Sequence, residues 1–86
     1  MKQGYTDIVY AVIKESHKLG LPYITKRQLH DNLIQKYPHI YWANRVGQCL
    51  YHLQKKNKYH PPYIRKYYTN GKKMGYTIND DSTINL

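Results

Sequence analysis

The region from residue 41 to residue 57 carries polar side chains whose types and spacing suit the recognition of nucleic-acid bases. Arginine can donate two hydrogen bonds to O6 and N7 of guanine, and asparagine or glutamine can pair with N6 and N7 of adenine. At about 100° per residue, the polar side chains of this region lie on one face of a predicted helix and on its flank. No acidic and no aliphatic residue occurs on that face. The alternative is an ordinary solvated helix face, although such faces usually mix charges of both signs. We expect base contacts from Tyr41, Asn44, Arg45, Gln48 and His52.

Cations in three other places are suited to holding phosphate groups. The start of a predicted second helix combines free backbone N–H groups with a threonine hydroxyl and two cations. Structural explanations stay open: capping explains the threonine, the helix dipole favours lysines at the end of the third helix, and lysines protect edge strands. We expect backbone contacts from Thr25, Lys26, Arg27, Lys55, Lys56 and Lys58, and contacts by a predicted hairpin from Arg65, Lys66, Asn70, Lys72 and Lys73.

Metal binding and catalysis find little support in the sequence. Cys49, His52 and His60 give the spacing C-x2-H-x7-H, which is one ligand short of a tetrahedral site. Cys49 also falls on the apolar stripe of the predicted helix, whereas His52 falls among its polar residues. No nucleophile and base can be paired from their spacing. We therefore predict no enzyme activity, no metal, no cofactor and no small-molecule ligand.

The positive charge of the chain is concentrated in its second half. The 86 residues contain 14 Lys and Arg against 5 Asp and Glu, a formal net charge of +9. Residues 32–79 carry nine of these cations and no acid, whereas residues 1–31 have a net charge of +2 and the tail subtracts two through Asp80 and Asp81. The cations of so long a stretch without carboxylates repel one another unless a polyanion neutralises them. Nucleic acid is therefore the expected partner, and a merely soluble basic surface is the alternative.

The length and composition are typical of one small globular domain. At 86 residues and 41% hydrophobic, the chain is long enough for a single thin core. Its single cysteine excludes an intrachain disulfide and favours a reducing compartment. No apolar run approaches the roughly 20 residues of a membrane span, and the N-terminus lacks the apolar region of a signal peptide. We expect an intracellular protein of the cytoplasm or nucleoid, without membrane contact, with a domain at residues 1–78 and a polar acidic tail at 79–86.

Apolar periodicity predicts three helices. Helix 1 runs from Thr6 to Leu19, and the connector 21–24 suits a brief extended strand. Helix 2 begins with a capping box formed by Thr25 and Gln28, and Pro38 stops it. Helix 3 runs from about Tyr41 to Asn57, although no Ser, Thr or Asp marks its first residue. The predicted core faces contain Leu29, Leu33, Ile34 and Tyr37 in helix 2, and Trp42, Ala43, Val46, Cys49, Leu50 and Leu53 in helix 3.

A β-hairpin is predicted from Tyr63 to Ile78, because the apolar period changes to two and Asn70-Gly71 is a strong turn signal. A two-residue loop would put Ile64 on the face opposite Met74, Tyr76 and Ile78, whereas a three-residue loop puts all four together. We predict the three-residue loop, because a slip of one residue would expose Ile64 to water.

Three sequence fragments together resemble a known family. They are Ile24-Thr25-x3-Leu29-x3-Leu33, Val46-x3-Leu50-x2-Leu53, and the strands Tyr63-Ile64 and Gly75-Tyr76-Thr77-Ile78 around Asn70-Gly71. In this order, over residues 5–78, they resemble the winged helix-turn-helix DNA-binding domains. The resemblance implies an α+β fold with three helices, a short strand after helix 1 and a C-terminal hairpin wing. It also implies a third helix in the major groove and a wing on the backbone or an adjacent minor groove. The high proportion of Ile, Lys, Asn and Tyr is similar to that in small winged-helix regulators of archaeal viruses and phages.

The function that we expect is binding of double-stranded DNA by a small transcription regulator. A homodimer is a further expectation, because one recognition helix contacts few base pairs. One alternative is an RNA or single-strand binder that stacks bases on Tyr41, Tyr51, Tyr59 and Tyr67, although the eleven tyrosines also suit a thin core without Phe. The other alternative is a protein-interaction or inhibitor module whose basic face engages an acidic partner.

Overall fold

Three helices are followed by a two-stranded antiparallel sheet in the computed structural model, which describes residues 4–55 and 62–79. The helices are α1 (Tyr5–Lys18), α2 (Lys26–Lys36) and α3 (Arg45–Gln54), and the strands are β1 (Ile64–Thr69) and β2 (Lys72–Ile78). This α+β order is consistent with a winged-helix layout. None of the helices in the described ranges combines the length and the hydropathy that crossing a membrane requires.

Helix α2 begins as predicted, but its buried face is narrower than expected. The Thr25 hydroxyl accepts a hydrogen bond from the Gln28 N–H, and the Gln28 side chain accepts one from the Thr25 N–H, both at 3.0 Å. Leu29 and Leu33 are fully buried. The prediction that Ile34 belongs to the core is wrong, because it is 43% exposed. Ile34 follows Leu29 by five residues, which turns it about 140° away around the helix.

Helix α3 is shorter at both ends than predicted. It begins at Arg45 rather than near Tyr41, because Trp42 is only 1% exposed and its Nε1 donates to the Tyr37 carbonyl at 3.2 Å. This anchor holds residues 41–44 in a turn, and the exposure of Ala43 contradicts its predicted place in the core. The helix ends at Gln54, since Lys55 has an extended backbone and the Tyr63 N–H donates to the Leu53 carbonyl at 2.9 Å. The predicted end at Asn57 is therefore wrong.

The hairpin has a two-residue turn, so the predicted three-residue loop is wrong. Asn70 and Gly71 both have positive φ, at 54° and 78°, which is the geometry of a type I′ turn. A β-bulge between Tyr67 and Tyr68 then shifts the register by one residue. As a result Ile64 pairs with Ile78 and is buried. The burial requirement behind the prediction is met by the bulge instead of by the loop.

The strand predicted after helix 1 is reduced to a single bridge. Ile24 and Tyr76 exchange two backbone hydrogen bonds, from the Ile24 N–H at 2.9 Å and from the Tyr76 N–H at 2.8 Å. The chain comes so close that a Cβ atom on Gly75 would lie 2.5 Å from the Ile24 carbonyl oxygen. Glycine is required at residue 75 for this approach. The bridge joins the connector to the hairpin and so fixes the hairpin beside the helices.

The core lies where α1 meets α2, α3 and β2. Helix α1 buries four aliphatic side chains, and Gly20 after it has a φ of 89°. Helix α3 contributes Val46, Cys49, Leu50 and Leu53, as predicted. The remaining buried hydrophobic residues include Ile24, Leu29, Leu33, Trp42, Ile64 and Tyr76.

Candidate nucleic-acid interface

The exposed face of α3 presents three of the predicted base-contacting residues in one row. Asn44, Gln48 and His52 follow one another at intervals of four residues, and all three are exposed. Residues with this spacing lie above one another on a helix. Neither amide side chain hydrogen-bonds to another residue of the described ranges, so both can donate and accept with a ligand. Opposite this row, Val46 and Leu50 face the core.

Arg45 is exposed but points to one side of that row. Its guanidinium carbon lies 4.1 Å from the centre of the Tyr5 ring, a cation–π contact. Tyr5 in turn meets Trp42 edge to face, with ring centres 5.9 Å apart. The predicted base contact is therefore held against the start of α1. The sequence offered no signal for this pairing, because residues 5 and 45 are distant along the chain.

Tyr41 and Tyr51 flank the row and are strongly exposed, at 70% and 61%. Tyr41 belongs to the turn before α3 rather than to the helix itself. The Tyr51 ring lies 5.5 Å from the His52 ring, and the Lys55 ammonium lies 5.9 Å from the Tyr51 ring centre. These rings offer flat apolar faces beside cations.

Three residues at the start of α2 are predicted to contact the nucleic-acid backbone. One of them has a structural role, and the other two are exposed cations. The Thr25 hydroxyl is engaged in the capping box, so capping explains its presence. Lys26 and Arg27 are exposed. Together with Ala43 and Val46 they line a shallow hollow between α2 and the start of α3. Two other predicted backbone contacts, Lys56 and Lys58, lie outside the described residues, as do Tyr59 and His60.

Four lysines from different elements line one groove of about 440 Å³ between α3 and the hairpin. They are Lys26 at the start of α2, Lys55 after α3, Lys66 on β1 and Lys73 on β2; we call this feature the lysine groove. Within residues 4–55 and 62–79, no carboxylate lines it. The Lys73 ammonium donates to the Tyr76 hydroxyl at 2.9 Å, which holds it on the groove side of the hairpin. The sequence predicted these four lysines as phosphate contacts but did not place them together.

The β-bulge decides which hairpin cations face the lysine groove. Lys66 pairs with Tyr76, and Tyr68 pairs with Lys73, so these four side chains share one face of the hairpin. Without the extra residue, Lys73 would point to the face opposite Tyr76. Arg65 pairs with Thr77 and so points to the other face. Asn70 and Lys72 are exposed at the hairpin tip.

Gly47 lies in the wall of the lysine groove, in the interior of α3. Of the atoms in the described ranges, a Cβ atom there would meet only the Lys26 ammonium, at an ordinary contact distance of 3.6 Å. The sequence suggests close packing against helix 1 or helix 2 as the reason for this glycine, but no backbone of either helix approaches it. Glycine in a helix interior costs about 0.5–1 kcal/mol relative to alanine. The packing of the fold does not account for that cost.

The acidic residues of the described ranges lie on α1 and α2. Glu15 forms an ion pair with Lys36 at 3.3 Å, which joins these two helices. Asp7 lies in the first turn of α1, where a carboxylate is favoured by the helix dipole. Lys36, which belongs to the cation-rich residues 32–79, therefore forms an ion pair and does not line the groove.

Cys49 is buried and has a packing role. Burial is the main cause that raises the pKa of its thiol, although the Thr6 hydroxyl donates to Sγ at 3.8 Å and Arg45 is near, and both lower it. His52 is exposed on the polar face of α3. Across residues 4–55 and 62–79, no three His, Cys, Asp or Glu side chains come close enough together to hold a metal ion.

The described geometry therefore unites a row of polar side chains on α3 with a lysine groove beside it. Three of the row's members were predicted as base contacts, and the groove collects four of the predicted phosphate contacts. Tyr5, Gly47 and Tyr76 were not predicted as site residues, since their roles depend on the packing of other elements against them. No protein-family model, no curated protein and no solved structure matches this chain.

Proposed function

We propose that this protein binds double-stranded DNA and acts as a small transcription regulator of the winged-helix type. Helix α3 would enter the major groove, and the hairpin would contact the backbone or an adjacent minor groove. The observation that carries the proposal is the lysine groove, in which cations of α2, α3 and the hairpin meet with no carboxylate of the described residues among them. A polyanion is the partner that such a surface favours.

The shape of α3 supports its role as the recognition helix. The major groove is about 12 Å wide and admits an α-helix. Ten residues make α3 about 15 Å long, enough to present its exposed row to a few base pairs. Gln48 and Asn44 suit adenine, and the lysines beside the row suit the phosphates that border the same groove. Two copies on two half-sites would extend the short sequence that one helix can contact.

The proposal is tested by measuring duplex affinity as a function of salt with a fluorescently labelled random-sequence duplex. Each phosphate contact contributes about −0.9 to the slope of log affinity against log salt, so six contacts give a slope near −5. Absence of binding to duplex DNA at about 50 mM salt, or an affinity independent of salt, would contradict the proposal. Selection of bound fragments from random duplexes then reveals whether the protein prefers a sequence.

Binding of single strands is the second candidate, because several tyrosines are strongly exposed on the described surface. Tyr41, Tyr51 and Tyr68 are 70%, 61% and 54% exposed, and each offers a ring on which an unpaired base can stack. Titrations with a duplex and with each of its separated strands distinguish the two candidates. Tighter binding of the strands, together with quenched tyrosine emission, would favour the second.

A further inference from the structure

We propose that the lysine groove seats one backbone phosphate of the bound nucleic acid, and that residue 47 is a glycine to leave room for it. This inference rests on the proposed function and adds the ligand group and its position. The class of ligand is a phosphate oxyanion, and the source to which we commit is a phosphodiester of the duplex.

The first support is the convergence of charge. Four ammonium groups reach the groove from α2, the end of α3 and both strands of the hairpin, and none of the carboxylates in the described part of the chain lines it. Like charges gathered on one concave surface repel each other until an anion enters. Lysine presents a compact charge with three donors, which suits the tetrahedral oxygens of phosphate. The Lys73 ammonium already donates to the Tyr76 hydroxyl, and this contact orients the ammonium without neutralising it.

The second support is independent of charge and comes from Gly47. This residue is in the middle of α3, has no positive φ and has no backbone from another element near it. The space at residue 47 is large enough for the Cβ atom of alanine, and alanine has a higher helix propensity than glycine. A glycine that the fold does not need, in the wall of a cationic groove, leaves open the space that an occupant would use.

The third support is that the side chains around the proposed phosphate position come from separate parts of the fold, namely α2, α3 and the hairpin. Lys26 lies with its ammonium against Gly47, where it reaches over α3 from the start of α2. Lys66 and Lys73 face it from the hairpin, and the β-bulge gives both the same side. A phosphodiester that passes between α3 and the hairpin would therefore meet donors on both sides.

The test compares side chains placed at residue 47. Gly47→Gln fills the space without charge, and Gly47→Glu also puts a carboxylate among the lysines. We expect Gly47→Gln to weaken duplex binding about tenfold, and Gly47→Glu to weaken it more and to reduce the salt slope by about one. Gln35→Glu, on an exposed position of α2 outside the groove, is the control for the change in net charge.

A second measurement keeps the test valid if a variant at residue 47 is unfolded. In the wild-type protein, the Gly47 amide resonance is followed by heteronuclear NMR during titration with the duplex, with a 5′-mononucleotide and with inorganic phosphate. We expect a large shift with the duplex and little shift with the two small anions. A saturating shift with the mononucleotide at similar concentration would overturn the phosphodiester assignment.

Failure of the inference and failure of the proposed function give different results. If the wild type binds duplex DNA while folded Gly47→Gln and Gly47→Glu bind it equally well, the phosphate seat is wrong and the function stands. If the Gly47 resonance does not move while the duplex binds, the seat is wrong as well. If the wild type binds no duplex at any salt, both proposals fall.

Discussion

Arg45 is the residue whose placement most changes its expected role. It lies on the Tyr5 ring, and Tyr5 lies against Trp42, so the start of α1 and the turn before α3 are joined through an arginine. A cation–π contact at an exposed site contributes about 0.5–1 kcal/mol. Arg45 can thus stabilise the fold and still reach a phosphate or base at the edge of the exposed row.

Replacing Tyr5 by leucine removes the ring under Arg45 while keeping a large apolar side chain. We expect Tyr5→Leu to lower the free energy of unfolding by about 0.5–1.5 kcal/mol, because the cation–π and edge-to-face contacts are both lost. Urea unfolding measures this change. Tyr68→Leu, at an exposed position of β1, is the matched control and should change stability less. Equal losses for the two variants would contradict the role of Tyr5.

Gln48 is the residue with the clearest opportunity to contact a base. It is in the middle of the exposed row, and its amide has no hydrogen-bond partner within the described ranges. We expect Gln48→Ala to cost about 1–3 kcal/mol on the selected duplex and less on unrelated duplexes. Fluorescence anisotropy titrations measure the difference, and Gln35→Ala controls for loss of an amide elsewhere. An equal loss on every duplex would make Gln48 a phosphate contact.

Cys49 shows how burial limits reactivity. Burial raises the pKa of its thiol, so the neutral form is favoured in the folded state. This contribution to stability is present below the pKa of the unfolded thiol and is lost as pH rises through the folded pKa. We expect slow alkylation of the native protein at pH 8 and fast alkylation in urea, as measured by mass spectrometry. Equal rates in both conditions would show that the thiol is accessible.

At the scale of elements, two glycines have opposite relations to the fold. Gly75 lies against the Ile24 carbonyl, where a Cβ atom would be 2.5 Å from the oxygen. Gly47 has room for a Cβ atom and lies in a helix. The first glycine joins the connector to the hairpin, whereas the second leaves the lysine groove open.

Alanine substitutions at these glycines should therefore shift stability in opposite directions. We expect Gly75→Ala to destabilise the protein by about 1–3 kcal/mol through overpacking at the bridge. We expect Gly47→Ala to stabilise it by about 0.5–1 kcal/mol through helix propensity. Each variant serves as the control for the other in thermal and urea unfolding. Loss of stability in both would show that residue 47 is packed more tightly than the structure indicates.

The element predictions succeeded where local chemistry decides and failed where packing decides. The capping box at Thr25 and the position of the hairpin turn at Asn70-Gly71 depend on neighbouring residues, and both are confirmed, although the predicted loop length is wrong. The ends of α3 depend on the Trp42 indole bonding to the Tyr37 carbonyl and on Tyr63 bonding to Leu53, which involve other parts of the chain. The bulge in the hairpin allows Ile64 to be buried against the helices, so it depends on residues outside the hairpin.

At the scale of the whole molecule, positive charge outweighs negative charge by nine, and four of the cations in the described part line one groove. Self-repulsion of this kind destabilises the compact state, and salt screens it. We expect the Tm to rise by a few degrees between about 20 mM and 300 mM NaCl. Lys73→Gln should reduce this rise more than Lys18→Gln, because Lys18 is at the end of α1 and does not line the groove. A Tm that falls with salt would contradict this account.

The sequence by itself determined the order of the three helices and the hairpin, the apolar face of α3 from Val46 to Leu53, and the concentration of cations in residues 32–79. These properties follow from residue types and from periods of 3.6 and 2, which need no knowledge of distant contacts. Only the tertiary structure decided that Lys26, Lys55, Lys66 and Lys73 share one groove and that Arg45 rests on Tyr5. The reason is physical: both arrangements join residues far apart in sequence, and they depend on a one-residue bulge and a single bridge at Ile24.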